Sequence, residues 1–415
     1  MTSPLIIIGA GGAGIIAAWR ASVCGAPVLL LERNGRTGTK ILISGGGKCN
    51  ITHAGSVDDV LAAFTPAERR FLKPALYRFS SDDVVKLMNT KGISTETREN
   101  GRVFPANGMA KDVMRVFNDL LRDERITVRL HTRVTGIGAE HGAVVSVKTD
   151  AGEIPARQVI LATGGSSYPR TGTTGDGYRW AAALGHTVVP IRPALAPMVV
   201  DPPLPHDWQG IALRTCMVSA VHAGRRVASW RGDLLFTHEG LSGPCALEIS
   251  RAAAGAMDHG PVHIVADIVP DITFDELDRM LSRAVSEHRQ RSIGTVLDAW
   301  LPNRVVHGFL TSIGVDPQTR GYVLTREARR SIAHTLKEWD LGTVSRIPLE
   351  RGEVTAGGVA LNEVDPRTMR SRTVAGLYLC GEVLDIAGPI GGYNLQAAFS
   401  TGFVAGETAA MESHN

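Results

Sequence analysis

A glycine-rich segment directly after an apolar run is the first feature of the sequence that could do chemistry. Residues 5–8 are apolar, and the next residues have the spacing G-x-G-x-x-G from Gly9 to Gly14. In this pattern Gly9 permits a tight turn, Gly11 lets backbone N–H groups approach a pyrophosphate, and Gly14 lets helix and strand pack closely. The start of the following helix offers further N–H donors to phosphate. The segment therefore predicts a dinucleotide-binding turn.

A carboxylate follows the second apolar run, where a ribose would lie in such a fold. Residues 28–31 are apolar and lead into Glu32, so strand, helix, second strand and acid occur in this order. The carboxylate can accept hydrogen bonds from ribose hydroxyls, and it disfavours a 2′-phosphate. A turn without a ligand is the alternative interpretation, but the complete βαβ order argues against it. The pattern favours an AMP-containing cofactor such as FAD or NAD over NADP.

A second glycine cluster lies in residues 40–50, soon after this unit. It contains adjacent glycines at residues 45–47, followed by Lys48 and Asn50. Adjacent glycines let the backbone come close to a ligand and point N–H groups in one direction, which makes a nest for anions. We expect Lys48 and Asn50 to reach the phosphate, the ribityl chain or the ring of a flavin. A flexible surface loop is the alternative interpretation.

Two later apolar segments also end in glycine. Residues 159–161 lead into Thr-Gly-Gly after Ala162, as the strand beside the adenine does in two-dinucleotide-binding flavoproteins. Residues 376–382 end in Gly-Glu, where an acid typically approaches the ribityl or pyrophosphate region. Gly391 and Gly392 then begin a helix whose N–H groups would stabilise negative charge at N1 and O2 of a reduced flavin. An ordinary capped helix is the alternative, but together these segments favour FAD over NAD.

These segments supply the candidate cofactor-binding residues. The candidates are Gly9, Gly11, Gly12, Ala13, Gly14, Glu32, Arg33, Lys40, Gly46, Gly47, Lys48, Asn50, Val134, Ala162, Thr163, Gly164, Gly381, Glu382, Gly392, Tyr393, Asn394 and Leu395. No catalytic acid or base is assigned, because His238 beside Glu239 is more typical of a structural histidine. Cys49 is expected to be an inert thiol, since no second cysteine is near it in sequence. No H-x-x-x-H or paired-carboxylate spacing predicts a metal site.

The composition of the 415 residues argues against several classes of protein. A hydrophobic content of 44% and a charged content of 20% are ordinary for a globular chain of two or three domains. The net charge of +3 and aromatic content of 5% give no phosphate track or stacking platform, so no nucleic-acid partner is expected. The 5 cysteines form no C-x-x-C pair, which argues against a disulfide framework or a zinc site. Without a basic leader or a long apolar run, we expect a cytoplasmic protein with no membrane partner.

The pattern of apolar residues predicts four segments. Residues 1–190 are expected to form the N-terminal part of an FAD-binding domain, with one strand over residues 128–134. A proline-rich stretch then favours extended chain and begins an inserted β-rich domain over residues 191–271. Helical periodicity predicts an inserted helical domain over residues 272–343. Residues 344–415 return to the FAD-binding domain.

The sequence resembles a known family, the bacterial BaiN-like, aminoacetone-oxidase-type NAD(P)/FAD-dependent oxidoreductases. The segments that carry the resemblance are residues 40–50, 171–178, 236–244 and 381–394. The resemblance implies an α/β fold with a Rossmann-like FAD-binding domain of the two-dinucleotide-binding type, interrupted by an inserted β-rich domain and a small helical domain. It also implies one FAD per chain. The residues that it places at or near FAD are Gly9, Gly11, Gly14, Glu32, Lys40, Gly47, Asn50, Gly381, Glu382 and Asn394.

One segment departs from that family. Where many members have a polar Asp-Gly stretch, residues 385–390 read Asp-Ile-Ala-Gly-Pro-Ile. We expect this loop to face the flavin site. Its apolar character then argues against the small polar substrates of the family.

The expected function is that of an FAD-dependent oxidoreductase that transfers a hydride between a small organic substrate and flavin N5. NAD(P)H is the favoured reductant, although no second G-x-G-x-x-G follows a strand and no separate nicotinamide domain is predicted. One alternative is an oxidase of a small amine or aminoketone that uses O₂. Another is a non-catalytic flavin-binding redox sensor. A flavoenzyme that modifies RNA ranks below these because of the small net charge, and the substrate and the oligomeric state stay open.

Overall fold

The computed structural model describes residues 3–413, which belong to two compact units. Unit 1 comprises residues 1–192 and 353–415, and unit 2 comprises residues 193–352. The first two and last two residues, which the sequence analysis assigns to the FAD-binding domain, lie outside the described residues. The separation of the insertion into a β-rich and a helical domain stays a prediction.

The strands of the described residues are numbered in chain order. They are β1 (Leu5–Ile8), β2 (Val28–Leu31), β3 (Thr52–His53), β4 (Thr95–Thr97), β5 (Arg102–Pro105), β6 (Ile126–Arg129), β7 (Val134–Glu140), β8 (Ala143–Thr149), β9 (Gly152–Pro155), β10 (Val159–Leu161), β11 (Val188–Ala194), β12 (Val199–Asp201), β13 (Ala212–His222), β14 (Arg225–Phe236), β15 (Leu241–Ser242), β16 (Val262–Asp267), β17 (Trp339–Arg346), β18 (Val354–Val359) and β19 (Leu377–Leu379).

The helices follow in the same order. They are α1 (Gly12–Val23), α2 (Val57–Ala62), α3 (Pro66–Arg78), α4 (Ser81–Thr90), α5 (Ala110–Leu120), α6 (Asp176–Ala183), α7 (Gly243–Met257), α8 (Phe274–Glu287), α9 (Ile293–Leu297), α10 (Asn303–Ser312), α11 (Arg326–Lys337) and α12 (Tyr393–Ser413). Short 3₁₀ segments include Ile41–Gly47 and Gly381–Val383.

The centre of unit 1 is a parallel sheet with strand order β19-β10-β1-β2-β6. Ile7 of β1 lies opposite Ile160 of β10 on one side and Leu30 of β2 on the other. Every residue of β1, β2, β10 and β19 is buried. Parallel strands covered on both faces are continuously apolar, which explains the uninterrupted Val, Ile and Leu runs of the sequence.

The prediction of one strand over residues 128–134 is wrong. The central-sheet strand β6 ends at Arg129, and β7 begins a separate antiparallel sheet with β8 and β9 at Val134. Between them His131 has a φ of 52°, a left-handed conformation that no continuous strand can contain. The alternation of apolar residues continues through this turn, so the pattern alone does not reveal it.

Two helices of unit 1 pack with their backbones close together. An added Cβ at Gly402 of α12 would lie 2.3 Å from the Ala13 carbonyl oxygen of α1. One turn later, a Cβ at Gly406 would lie 2.2 Å from the Ala17 carbonyl oxygen. Glycine and alanine at four-residue spacing therefore permit α12 to contact α1, because any larger side chain would clash. The last helix of the chain thereby supports the helix that follows the glycine-rich turn.

Unit 2 is built on an antiparallel sheet with strand order β12-β17-β16-β13-β14-β15. Its hydrophobic core contains an aromatic cluster in which the rings of Trp208 and Trp339 lie 5.3 Å apart and those of Phe309 and Trp339 lie 5.1 Å apart. Cores of this kind give an inserted domain its own source of stability. Within residues 3–413, no helix combines the length and apolar character needed to cross a bilayer.

Candidate functional site

The turn between β1 and α1 is closely packed except at one glycine. Gly9 has a φ of 101°, and an added Cβ there would lie 2.6 Å from the Ala162 carbonyl oxygen. A Cβ at Gly14 would lie 1.9 Å from the Gly9 carbonyl oxygen, so neither position accepts a side chain. A Cβ at Gly11, by contrast, would meet no protein atom within 4 Å. The space in front of Gly11 is therefore open, as the binding of a pyrophosphate there requires.

The first turn of α1 offers its N–H groups without competition from side chains. Gly11 is the N-cap residue and supplies no capping side chain, and the first turn contains no acidic residue. The unpaired N–H groups and the helix dipole favour an anion at this end. Of the predicted residues in this turn, Ala13 is buried, and a Cβ at Gly12 would lie 2.9 Å from the ring of Phe399.

Glu32 joins the loops that follow the first two strands. Its carboxylate accepts hydrogen bonds from the N–H groups of Ala10 at 2.9 Å and Asn34 at 2.8 Å, and the residue is buried. Each carboxylate oxygen keeps a lone pair that a ribose hydroxyl can use. The Thr132 N–H donates to the Glu32 carbonyl at 2.9 Å, which places Val134, buried at the start of β7, two residues beyond this contact. The predicted residues Glu32 and Val134 are therefore connected through the backbone hydrogen bond of Thr132.

The sequence analysis expects two basic side chains, those of Arg33 and Lys48, to contact the cofactor. Arg33 donates to the Thr174 hydroxyl at 2.8 Å and lies 3.4 Å from the Asp176 carboxylate, so it fastens the loop before α6. Lys48 is exposed, and among the described residues its side chain has no hydrogen bond or ion pair, although its backbone N–H donates to the Gly45 carbonyl at 3.3 Å. A contact of either side chain with the cofactor stays a prediction.

Five buried side-chain oxygens lack a hydrogen-bond partner among the described residues. Those of Ser81 and Glu407 belong to helices, and the other three lie in loops: Oγ1 of Thr39, Oδ1 of Asn50 and Oγ1 of Thr163. The Gly38 N–H donates to the Ala10 carbonyl at 2.8 Å, so Thr39 adjoins the turn between β1 and α1. Thr163 follows β10, the neighbour of β1 in the sheet. Buried polar atoms nearly always have a partner. A cofactor rich in hydroxyl and phosphate groups fits these three oxygens, and Thr39 is a residue that the sequence analysis missed.

The second glycine cluster forms a left-handed turn. The φ angles of Gly45, Gly46 and Gly47 are 57°, 65° and 85°, and Cys49 follows at 59°. A Cβ at Gly46 would meet no protein atom within 4 Å. Successive residues of this kind can form the predicted nest of N–H groups. Cys49 is fully buried, and burial raises the pKa of its thiol to about 11, so it is protonated at neutral pH.

Lys40 and Glu382 form one polar cluster. The Lys40 ammonium group donates to the Glu382 carboxylate at 2.8 Å and to the Ser167 hydroxyl at 2.7 Å. The other carboxylate oxygen accepts from the Thr355 N–H at 2.8 Å. The sequence predicts separate cofactor contacts for Lys40 and Glu382, whereas the structure pairs them with each other. Ser167 and Thr355 were missed: Ser167 follows the Thr-Gly-Gly segment, while nothing local distinguishes Thr355.

Glycines also set the close contacts of the C-terminal segment. Gly381 has a φ of 75°, and its Cβ would lie 2.7 Å from the Ala13 side chain of α1. Gly392 has a φ of 95°, and its Cβ would lie 2.4 Å from the Thr52 backbone. Gly164 also has a positive φ, of 73°. The structure therefore places the predicted glycines of the C-terminal segment against the N-terminal third.

The start of α12 is held by its own loop. The Asn394 side chain accepts from the Gly388 N–H at 2.8 Å and donates to the Gly388 carbonyl at 2.9 Å. The Tyr393 ring stacks on His53 with centroids 4.3 Å apart, and Leu395 packs against the core of unit 1. Asn394 therefore orders the loop before the helix, and a contact of these three side chains with the cofactor stays a prediction.

The apolar loop of residues 385–390 has a structural explanation. Ile386 and Ala387 are buried, and Ile386 belongs to the core of unit 1. The Ala387 N–H donates to the Glu68 carboxylate at 3.0 Å. The expectation that this apolar character reflects the flavin site is therefore corrected for these two residues, since their side chains are used in packing.

Comparison with known proteins agrees with this geometry. The family described as HI0933-like protein Rossmann domain matches residues 3–408. The chain belongs to this family. The resemblance to BaiN-like flavoproteins is thereby confirmed.

Relatives of this HI0933-like chain are similar over nearly their whole lengths. Ribosomal RNA dihydrouridine synthase of Escherichia coli strain K12 is 32% identical over 397 residues, which cover 95% of each chain. The 3-dehydro-bile acid delta(4,6)-reductase of Clostridium scindens is 30% identical over 409 residues, covering 97% of this chain and 98% of the relative. The solved 3-ketosteroid delta1-dehydrogenase of Sterolibacterium denitrificans shares the fold, with a TM-score of 0.52, 15% identity and coverage of 99% and 100%.

Several predictions are settled for the HI0933-like chain. The predicted fold, an α/β Rossmann-type FAD-binding fold with inserted domains, is confirmed. The predictions that the cofactor is FAD and that the protein is an FAD-dependent oxidoreductase are confirmed as well. NAD(P)H as a partner and a cytoplasmic location stay predictions. The expectation of no nucleic-acid partner conflicts with the name of the E. coli relative.

Proposed function

We propose that this chain reduces a carbon–carbon double bond that is conjugated to a carbonyl group. The names of the two relatives describe this one chemistry on different molecules. Conversion of uridine to dihydrouridine saturates C5=C6 of uracil, which is conjugated to the C4 carbonyl. Reduction of a 3-oxo bile acid at its delta-4,6 system saturates a double bond conjugated to the 3-oxo group. In the uridine reaction the hydride adds to C6, the β carbon, and a proton to C5, the α carbon. In a delta-4,6 3-oxo compound the hydride adds to a carbon that is β or δ to the carbonyl group, and a proton completes the saturation.

Uridine in ribosomal RNA is the substrate that we propose first. The single observation that carries this choice is the similarity to the E. coli enzyme over 95% of both chains. The burial of Ile386 and Ala387 also removes the reason to expect an apolar substrate. A 3-oxo steroid with a conjugated double bond is the second candidate, favoured by the C. scindens relative.

Residues of unit 1 would bind several parts of the FAD molecule. The first turn of α1 would receive the pyrophosphate, since its N–H groups face the open space at Gly11. Glu32 would accept from the adenosine ribose, and the oxygens of Asn50 and Thr163 would bond polar groups of the cofactor. Bound FAD, once reduced, would supply from N5 the hydride that the reaction needs.

NAD(P)H is the proposed source of electrons. The described chain has one nucleotide-binding glycine turn of the G-x-G-x-x-G type, so the nicotinamide would meet the flavin without a domain of its own. Anaerobic mixing of the holoenzyme with NADH or NADPH should bleach the flavin absorbance band. A flavin that is bleached only by a small amine or aminoketone, and recovers with O₂, would instead support the oxidase alternative.

The oxidation of reduced enzyme tests the proposed substrate. Holoenzyme reduced without oxygen should recover its flavin absorbance when mixed with ribosomal RNA transcribed in vitro, in which every uridine is unmodified. A 3-oxo steroid with a conjugated double bond is the parallel sample. Recovery with the steroid alone would reject RNA in favour of the second candidate. Recovery with neither would reject the proposed reaction.

A further inference from the structure

An exposed group of arginines in unit 2 lies outside the cofactor-binding residues. We name it the arginine ridge and define it as Arg289, Arg291, Arg320 and Tyr322. The three arginines are exposed, and Tyr322 is 58% exposed. Val323, next to Tyr322, is 57% exposed. Cations and an exposed aromatic ring therefore share one surface.

Backbone hydrogen bonds hold the two halves of the ridge together. The Tyr322 N–H donates to the Arg289 carbonyl at 3.2 Å, and the Gly321 N–H donates to the Arg291 carbonyl at 3.1 Å. The Arg320 guanidinium also donates to the Gln290 carbonyl at 2.6 Å. These residues are about thirty positions apart in sequence, so the ridge exists only in the folded unit.

Within the described residues, no carboxylate neutralises the arginines of the ridge by an ion pair. Nearby Arg283, by contrast, is paired with Glu287 at 2.7 Å, and Arg329 is paired with Asp278 at 2.8 Å. Residues 288–291 and 320–326 contain no acid; of the two acids that flank these segments, Glu287 is paired with Arg283, and Glu327 lies in the first turn of α11. Exposed guanidinium groups without carboxylate partners favour phosphate, which they bind with bidentate geometry.

The exposed aromatic ring indicates which phosphate compound fits. A tyrosine beside cations matches the surfaces that bind single-stranded nucleic acid, where bases stack on aromatic rings while cations follow the backbone. A tyrosine beside cations also suits a membrane–water interface, so the choice of RNA rests on the proposed function, and anionic vesicles are a comparison in the test. Gly321 permits this arrangement, since its Cβ would lie 3.2 Å from the Arg289 Cα.

We propose that the arginine ridge binds single-stranded RNA, with its arginines on phosphates and Tyr322 stacked on a base. The proposal rests on the proposed function, in which the reduced uridine is part of ribosomal RNA. It adds a surface of unit 2 that holds the RNA chain itself.

The test compares full-length holoenzyme variants by fluorescence anisotropy with a labelled single-stranded RNA that contains uridine. Two phosphate contacts on a single strand contribute a salt slope of about 1.4, which is roughly 14-fold in affinity at about 0.15 M salt. Arg289→Gln/Arg291→Gln should therefore bind roughly 14-fold more weakly and with a salt slope lower by about 1.4. Tyr322→Ala should bind roughly 5- to 150-fold more weakly with an unchanged salt slope.

A matched control removes the same charge elsewhere in unit 2. Arg225→Gln/Arg226→Gln changes the start of β14 and should leave RNA affinity within about twofold of the wild type. FAD content and melting temperature verify that each variant is folded. Wild-type affinity in the ridge variants, or an equal loss in ridge and control variants, would overturn the proposal. Anionic lipid vesicles that bind in a ridge-dependent manner, while RNA does not bind, would overturn it as well.

The experiments distinguish an error in the ridge proposal from an error in the proposed function. If the ridge is wrong and the function right, the ridge variants bind RNA and their reduced flavin is reoxidised by it as in the wild type. If the ridge is right and the function wrong, RNA binding depends on the ridge but no RNA reoxidises the flavin.

Discussion

Replacement of Gly11 by alanine separates the cofactor site from the stability of the fold. The added Cβ would meet no protein atom within 4 Å, and the φ of −83° and ψ of −171° at Gly11 suit alanine. Loss of backbone freedom in the unfolded chain stabilises by about 0.4–1 kcal/mol, and alanine as the poorer N-cap costs a similar amount, about 0.5–1 kcal/mol. The free energy of unfolding of the apoprotein should therefore stay within about 1 kcal/mol of the wild type.

The same methyl group should weaken FAD binding strongly. It occupies the space through which a pyrophosphate oxygen would reach the N–H groups of α1. A hydrogen bond to a charged group contributes about 1.5–3 kcal/mol, so the loss of one such bond raises Kd roughly 10- to 150-fold. Urea unfolding of the apoprotein and quenching of FAD fluorescence on titration measure the two quantities.

Gly255 in α7 of unit 2 provides the matched control. A Cβ there also meets no protein atom within 4 Å, and the residue lies inside a helix. Gly255→Ala should stabilise the protein by about 0.5–1 kcal/mol and leave the Kd for FAD unchanged. A folded Gly11→Ala protein that binds FAD with wild-type affinity would refute the placement of the pyrophosphate at this turn.

Three further experiments test other contacts. Gly406→Ala should lower the free energy of unfolding by about 1–3 kcal/mol, because its Cβ would lie 2.2 Å from the Ala17 carbonyl oxygen; a wild-type urea midpoint would contradict the close packing of α1 and α12. Thiol titration of the native protein should detect at most Cys24, because the other four cysteines are buried; rapid labelling of a second thiol would show that burial does not protect them. Lys40→Met should lower the free energy of unfolding by about 1–3 kcal/mol because Glu382 loses a charged donor at 2.8 Å, and Lys40→Arg should recover part of the loss; equal stability of all three proteins would argue against the pair.

Local signals explain which parts of unit 1 could be predicted from the sequence. The apolar runs give β1 and β2, and the glycine spacing gives the turn and the start of α1, because each depends on residues adjacent in the chain. The last helix was also expected, and it begins at Tyr393.

Contacts between distant segments could not be predicted in the same way. The pairing of Lys40 with Glu382 joins residues 342 positions apart, and neither residue type reveals the other as its partner. The hydrogen bonds of the Asn394 side chain to the Gly388 backbone were likewise not expected from the sequence, and its contact with the cofactor stays a prediction. The arginine ridge likewise arises when two polar segments fold together, so a net charge of +3 for the whole chain conceals it.

The most direct test of the proposed reaction is the mass of the product after one turnover. Reduced holoenzyme and unmodified ribosomal RNA are mixed without oxygen, and the RNA is digested to nucleosides for mass spectrometry. The proposed reaction predicts a uridine that has gained two hydrogens, in an amount equal to the flavin oxidised. Flavin that becomes oxidised while every uridine keeps its mass, or that stays reduced in the presence of the RNA, would contradict it.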